Sequence, residues 1–226
     1  MLVKTDQALS SGWRPPVEMP QRRKLSFGGL IRTAGMPVIY PRDVEIFGEG
    51  EPSDCFYKVI SGAVRTYKIL VDGRRQIGSF NLAGDFFGLD TEGTHAFSAE
   101  AIVDSRIQVI RRSTVMAHAE RDMDVARCIW AITGDELKQV QAHVLLLIKT
   151  AKERVAAFLL EMAARAPGDR EVELPMCRRD IADYLGLTIE TVSRMLADLE
   201  RRGAIALPNS RRVILRNRDA LAAHGG

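Results

Sequence analysis

Thr188, Glu190, Ser193 and Arg194 are the side chains whose types and spacing most directly suggest chemistry. Steps of three and four residues put Glu190, Ser193 and Arg194 on one face of a helix that Thr188 can cap. A guanidinium there can donate two hydrogen bonds to O6 and N7 of guanine. A carboxylate can accept from the amino group of cytosine or adenine, and a hydroxyl can approach a thymine edge. Ile189 lies beside them in the first turn, the part of such a helix that enters a major groove. On a bare helix surface Glu190 and Arg194 would instead form an ordinary i,i+4 ion pair of little energetic weight. Upstream, Cys177 opens the preceding helix, followed by Arg178 and Arg179. A thiol at a helix N-terminus beside two cations is expected to be more acidic and more oxidisable than usual. The plainer alternative is a small residue filling an N-cap position. Cys177, Arg178, Arg179, Thr188, Thr191, Arg211 and Arg212 are the candidates for phosphate contacts, which hold register without reading sequence.

These residues need rigid elements around them. A helix over Cys177–Tyr184, a turn at Leu185-Gly186-Leu187 and a helix over Thr188–Arg202 with Gly203 behind it form a helix-turn-helix. Two short apolar runs around Pro208-Asn209-Ser210 form a hairpin wing. Residues 174–218 carry nine Arg against five acids, so the basic excess sits on this module, whereas the whole chain is only +3. A helix over Lys152–Arg165 precedes it, stopped by Pro167-Gly168. Before that, Leu137, Val140, Val144, Leu147 and Ala151 repeat at alternating three and four residues, the pattern of a coiled-coil seam. Leu145, Leu146 and Ile148 add a second apolar face. Such a helix is expected to pack on its own barrel and on a partner helix, giving a homodimer whose charge-free seam needs no effector. Further upstream, Phe56–Ile60, the run ending at Asp72-Gly73, Gln76–Leu82 and Ala99–Arg111 read as short strands with glycine turns, a small jelly roll. The expected class is α+β: a tail over 1–25, a jelly-roll β-barrel over 26–122, a dimerisation helix over 123–150 and a winged helix-turn-helix over 151–226.

Composition narrows the function. The 226 residues are 46% apolar and 27% charged, values of a globular chain able to bury a core. No stretch of about 18 apolar residues is present to span a bilayer. The N-terminus has no apolar secretion segment, and Cys55, Cys128 and Cys177 are odd in number and far apart. A cytoplasmic protein is expected, with Cys55 and Cys128 as buried structural thiols. A cupin-like enzyme would need a histidine-rich metal set on its strands. The strand region of the roll, up to Arg111, has only His95, so no enzyme and no metal site are expected.

Three blocks of residues, in order, carry a resemblance. They are Glu49-Gly50 with Tyr57, Val59, Gly62 and Val64; Gly84-Asp85-Phe86-Phe87-Gly88; and the run from Asp180 to Arg194. From about residue 26 to 221 the chain resembles the CRP/FNR superfamily of bacterial transcription regulators. The resemblance implies an effector-type β-roll, a dimerisation helix and a winged helix-turn-helix. Glu190, Ser193 and Arg194 match the FNR spacing; in the CRP branch a glycine stands where Ser193 is and an arginine where Ile189 is. The implied half-site resembles TTG with its complement CAA, in a palindrome read by two helices about 34 Å apart. The loop from Asp90 to Thr94, with Asp90, Thr91 and Glu92, is the implied contact with RNA polymerase.

Family members that bind cyclic AMP hold it with a glutamate and an arginine. Here those positions are Leu89 and Phe97, so a cyclic phosphate would lack a counter-charge. The iron–sulfur branch needs clustered N-terminal cysteines; residues 1–54 contain none, and the roll position for the remaining ligand holds Gln108. The resemblance is therefore to the FixK-type branch, implying no cofactor and activation of microaerobic or anaerobic respiration genes. A regulator gated by an unidentified small effector, or by haem on one of the isolated His95, His118 and His143, is the alternative, and a repressor stays open.

Overall fold

The computed structural model describes residues 35–225 except 167 and 169. The expected tail over 1–25, and the stretch to 34, lie outside the described residues. Eight strands come first: β1 Met36–Tyr40, β2 Glu45–Phe47, β3 Cys55–Ser61, β4 Ala63–Ile69, β5 Arg75–Leu82, β6 Phe86–Phe87, β7 Ser98–Ala101 and β8 Ser105–Arg111. They form two four-stranded antiparallel sheets, ordered β1-β8-β3-β6 and β2-β7-β4-β5. Alternating apolar residues from both sheets meet inside, with Val59, Val64, Ala99 and Ile107 fully buried beside Phe47, Tyr57 and Phe87. The β4–β5 hairpin turns at Asp72-Gly73, as its sequence requires: Gly73 has φ +81°, and Asp72 Oδ1 accepts from Arg74 N at 3.0 Å. The run expected as one strand over 99–111 is two, because residues 102–104 turn the chain from one sheet to the other.

Helix α1 (Arg112–Ala119) was not legible in the sequence. It is short, buries only Val115 and has no apolar stripe to announce it. Helix α2 (Met123–Leu147) starts at Asp122, whose side chain accepts from Asp124 N. Its inner face packs Val125, Cys128, Ile129 and Ile132 against Phe56, Ile110 and Val115. Cys55 and Cys128 are half-buried rather than buried, and burial pushes the Cys55 thiol up. Thr150 and Glu153 form a capping box that opens α3 (Ala151–Arg165). Ala151 therefore begins a new helix and does not continue the seam of α2. Of the second apolar face only Leu146 is buried; Leu145 and Ile148 remain exposed, because the chain breaks direction at that point.

The C-terminal part contains β9 (Glu171–Glu173), α4 (Arg178–Leu185), α5 (Ile189–Arg201), β10 (Ile205–Ala206), β11 (Arg212–Leu215) and α6 (Arg218–Gly225). The wing is a three-stranded sheet, β10-β11-β9, one strand more than its hairpin signal indicated. Gly186 is the pivot of the helix pair. It ends α4 in the left-handed region at φ 61°, and its N–H donates to Ala182 O.

The β-roll and the helix-turn-helix are not separate bodies. Ile77, Phe80 and Ile102 of the roll share one core with Leu146, Phe158 of α3, and Tyr184 and Leu185 of α4. Polar bonds reinforce this seam. Asp180 of α4 is 2% exposed and accepts from Arg75 Nη2 at 2.6 Å and from Arg65 Nη1 at 3.3 Å. Arg65 also donates to Glu100 at 2.6 Å, and Arg75 to Asp183 at 2.8 Å. Removing one partner of a buried pair leaves a charge uncompensated, which costs about 3–5 kcal/mol. Asp180→Ala is therefore expected to lower the denaturation midpoint markedly; a midpoint within the error of the parent's would mean that this network holds nothing.

Candidate nucleic-acid interface

The geometry of α5 follows from its cap. Thr188 Oγ1 accepts from Thr191 N at 3.2 Å, fixing the start of the helix, and its hydroxyl also meets Thr191 Oγ1 at 3.1 Å. Val192, Leu196 and Leu199 point inward and are buried. That orientation leaves Glu190, Ser193 and Arg194 together on the exposed face. Glu190 and Arg194 make no ion pair with each other among the described residues, so the surface-pair alternative is not realised and both charged ends are available. The helix-start N–H of Glu190 itself, then the Thr188 hydroxyl, hold the Glu190 carboxyl below the usual range. It is an ionised acceptor at neutral pH. Ile189 is half-buried against the domain core, which leaves it little reach toward a base.

The expected phosphate-contacting residues fall into different settings. Arg179 is exposed and Arg211 half-buried. Arg178 is half-buried with Nη1 lacking a partner, and burial pushes its guanidinium down. Arg212 is committed elsewhere: its Nε lies 2.5 Å from Glu171 Oε1 across the wing sheet. Asn209 Oδ1 accepts from Arg211 N at 2.9 Å and Arg212 N at 2.8 Å, which shapes the wing tip. Cys177 is exposed at the N-cap of α4. Its thiol donates to Asp180 Oδ2 at 3.2 Å, so its hydrogen-bond partner is a carboxylate and not one of the flanking guanidiniums. Asp180 was read in the sequence only as part of a motif. Its bonds to Arg65 and Arg75 come from strands more than a hundred residues away, and no local pattern encodes them.

On α2 the uncovered face carries Leu137, Val140 and Val144 at 58%, 52% and 57% exposure. Trp130 at 82% and Met123 at 67% continue the seven-residue repeat of Leu137 and Val144 toward the N-terminus. Sequence reading missed both, although counting back by sevens would have found them. Leu147 is half-buried, 3.6 Å from where a Gly186 side chain would begin.

A cavity of about 350 Å³ lies between the β-roll and α2. Leu89 and Phe97 line it, with Asp90 and Glu136 as its charged residues and no arginine or lysine among the described residues. A cyclic phosphate does not fit this lining, which offers it like charge and no cation. Asp90 also ties its own loop: its Oδ2 lies 2.8 Å from His95 Nδ1, and its Oδ1 accepts from Ala96 N at 3.2 Å. Thr91 and Glu92 are exposed on that loop.

A β-roll joined through a long helix with an uncovered apolar face to a winged helix-turn-helix defines a DNA-binding transcription regulator, and this chain belongs to the CRP/FNR family. The family profiles match in two places, "Cyclic nucleotide-binding domain" over residues 37–122 and "Crp-like helix-turn-helix domain" over 153–224. Among individual relatives, the nitrogen fixation regulation protein FixK of Azorhizobium caulinodans is 48% identical over 198 residues, covering 85% of this chain and 80% of the relative. The fumarate and nitrate reduction regulatory protein of Salmonella typhimurium is 35% identical over 188 residues, covering 80% and 75%. The solved structure of FixK2 from Bradyrhizobium japonicum superposes with a TM-score of 0.83 at 48% identity, covering 85% of this chain and 98% of that one. Among the described residues no helix is long and apolar enough to cross a membrane.

Proposed function

We propose that this regulator pairs through α2 and reads a palindrome of TTG…CAA type with α5, in the cytoplasm, without cyclic nucleotide or iron–sulfur cluster. The observation that carries the reading is the exposed, mutually unpaired set Glu190, Ser193 and Arg194 on the capped N-terminal turns of α5. Its spacing resembles that of FNR readers. Similarity to the FixK and the fumarate and nitrate reduction regulatory proteins supports activation of genes for nitrogen fixation or anaerobic respiration. Arg178, Arg179, Arg211 and the caps Thr188 and Thr191 hold the helix on phosphates, while Arg212 contributes less because Glu171 occupies it. Thr91 and Glu92, with Asp90 shaping their loop, face RNA polymerase.

Oxidation of Cys177 switches binding off in this reading. Each peroxide molecule transfers one oxygen atom to Sγ and leaves as water, giving in turn sulfenic acid, sulfinate and sulfonate. The resulting anion stands beside the DNA phosphates at the start of α4. The exposed thiol supports this. The test is fluorescence anisotropy of a labelled palindromic duplex at fixed salt, with no added ligand, before and after peroxide. Tight palindrome-dependent binding is expected, lost after peroxide in the parent and kept in Cys177→Ser. Equal loss in both proteins would remove the switch and leave the reader. The cavity beside α2 favours one second reading, a regulator gated by a small neutral or cationic effector. Absence of binding without an added small molecule would support that reading instead.

A further inference from the structure

A second cavity, of about 190 Å³, lies between the β-roll and the helix-turn-helix, and guanidinium groups dominate its wall. Arg42, Arg65 and Arg75 reach it from the roll, Arg179 and Arg211 from the DNA-binding domain. The carboxylates present do not balance them. Arg65 is held by Asp180 and Glu100 with Asp43 Oδ1 3.6 Å away, Arg75 by Asp180 and Asp183, and Arg42 by Asp43, which also lines the cleft, so four carboxylates face five guanidiniums. Arg179 and Arg211 have no ion-pair partner among the described residues. Arg65 is only 8% exposed, yet its Nε is buried without a hydrogen-bond partner. Such an orphaned donor is costly and points to a missing acceptor. Cys177, Arg179 and Asp180 also form part of this wall, so the first turn of α4 adds the positive end of its dipole. A water takes about 30 Å³ of liquid volume, so the cleft has room for roughly six waters or a small tetrahedral oxyanion.

We propose that this interdomain cleft is an oxyanion site that takes a phosphate group. Arg179 and Arg211 bind it from one domain, Arg42 from the other, and Arg65 donates from beneath. Guanidinium forks match phosphate oxygens two at a time, which suits several arginines converging on one small anion. A phosphate held there bridges the two domains and fixes the angle at which α5 is presented. The phosphate could be free, as inorganic phosphate or a phosphorylated metabolite, or it could belong to the DNA backbone flanking a half-site.

Arg42 is the variant to make, because it is 54% exposed, is bonded through its side chain only to the adjacent Asp43 among the described residues, and lies outside the proposed DNA-reading set. Pyrophosphate is titrated calorimetrically into the full-length protein, with ionic strength held constant by chloride. Saturable binding of one anion per protomer is expected. Arg42→Ala should weaken it at least tenfold, and Arg42→Lys should recover part of that, with unchanged circular dichroism. Heat no larger than that of a chloride blank, or equal binding by parent and Arg42→Ala, would overturn the site. Two duplexes then separate the sources. If the phosphate is DNA's, Arg42→Ala weakens a duplex extending beyond the palindrome more than a short one, and that duplex displaces pyrophosphate. If the anion is free, Arg42→Ala leaves both duplex affinities unchanged in phosphate-free buffer, pyrophosphate binding drops, and added pyrophosphate alters duplex affinity in the parent more than in Arg42→Ala. The pyrophosphate titration is informative even where the palindrome is not bound, so failure of the DNA reading and failure of this site are distinguishable.

Discussion

Replacing Arg194 by alanine is expected to abolish discrimination between the TTG…CAA palindrome and scrambled DNA. A bidentate arginine–guanine contact contributes about 1–3 kcal/mol. A dimer makes the contact twice, so the specific complex should weaken by roughly 2–6 kcal/mol, about 30-fold to about 25,000-fold. The side chain is exposed and bonds nothing in its own domain among the described residues, so folding is not the route of the loss. Anisotropy titrations with both duplexes read the effect. An equal drop on palindromic and scrambled DNA would show that Arg194 touches only the backbone. Glu190 gives the matching pH test. Its carboxyl lies below the usual range, so the specific affinity it supports is fully present above that range. The affinity is lost only as pH falls through the lowered value. A drop in palindrome preference already near pH 6 would contradict Glu190 as an ionised acceptor.

The second large effect is on assembly. Val144→Asp, alone or with Leu137→Asp, places charge at the centre of the uncovered stripe on α2. Both residues are more than half exposed in the single chain, at 57% and 58%, so the protomer should fold unchanged. In a paired seam the same carboxylates would be buried unpaired, which is costly enough to separate the subunits. Light scattering should therefore show the mass falling to the 25.1 kDa of one chain. Affinity for the palindrome should fall by about 10²-fold or more, since a monomer loses the effective concentration of its second half-site. Unchanged mass in the double variant would place the interface elsewhere. Met123 and Trp130, on the same repeat, would then be solvent-facing in the assembly as well.

The alternation of strands, the Asp72-Gly73 hairpin, the seam of α2 and the two helices around Gly186 could all be read from the chain. Each is a local periodicity or a local turn, set by neighbours within about one heptad. The exposed face of α5 was legible for the same reason, because once Val192, Leu196 and Leu199 turn inward, Glu190, Ser193 and Arg194 must face out. Helix α1, the third wing strand and helix α6 were not legible, being short elements that packing on the rest of the chain stabilises. The break at Thr150 also changed the outcome, since it moved Ala151 off the seam.

What the sequence determined by itself is the list of parts and the residue types on the exposed face of α5, because periodicity and spacing suffice for both. What only the tertiary structure decided is how the parts meet. It brings Arg65 and Arg75 onto Asp180, sets Cys177 against that carboxylate rather than a cation, and gathers five arginines around one interdomain cleft. Those contacts join residues up to 115 positions apart, and a charge's partner across such a distance is fixed by how the sheets and helices pack, not by its neighbours in the chain.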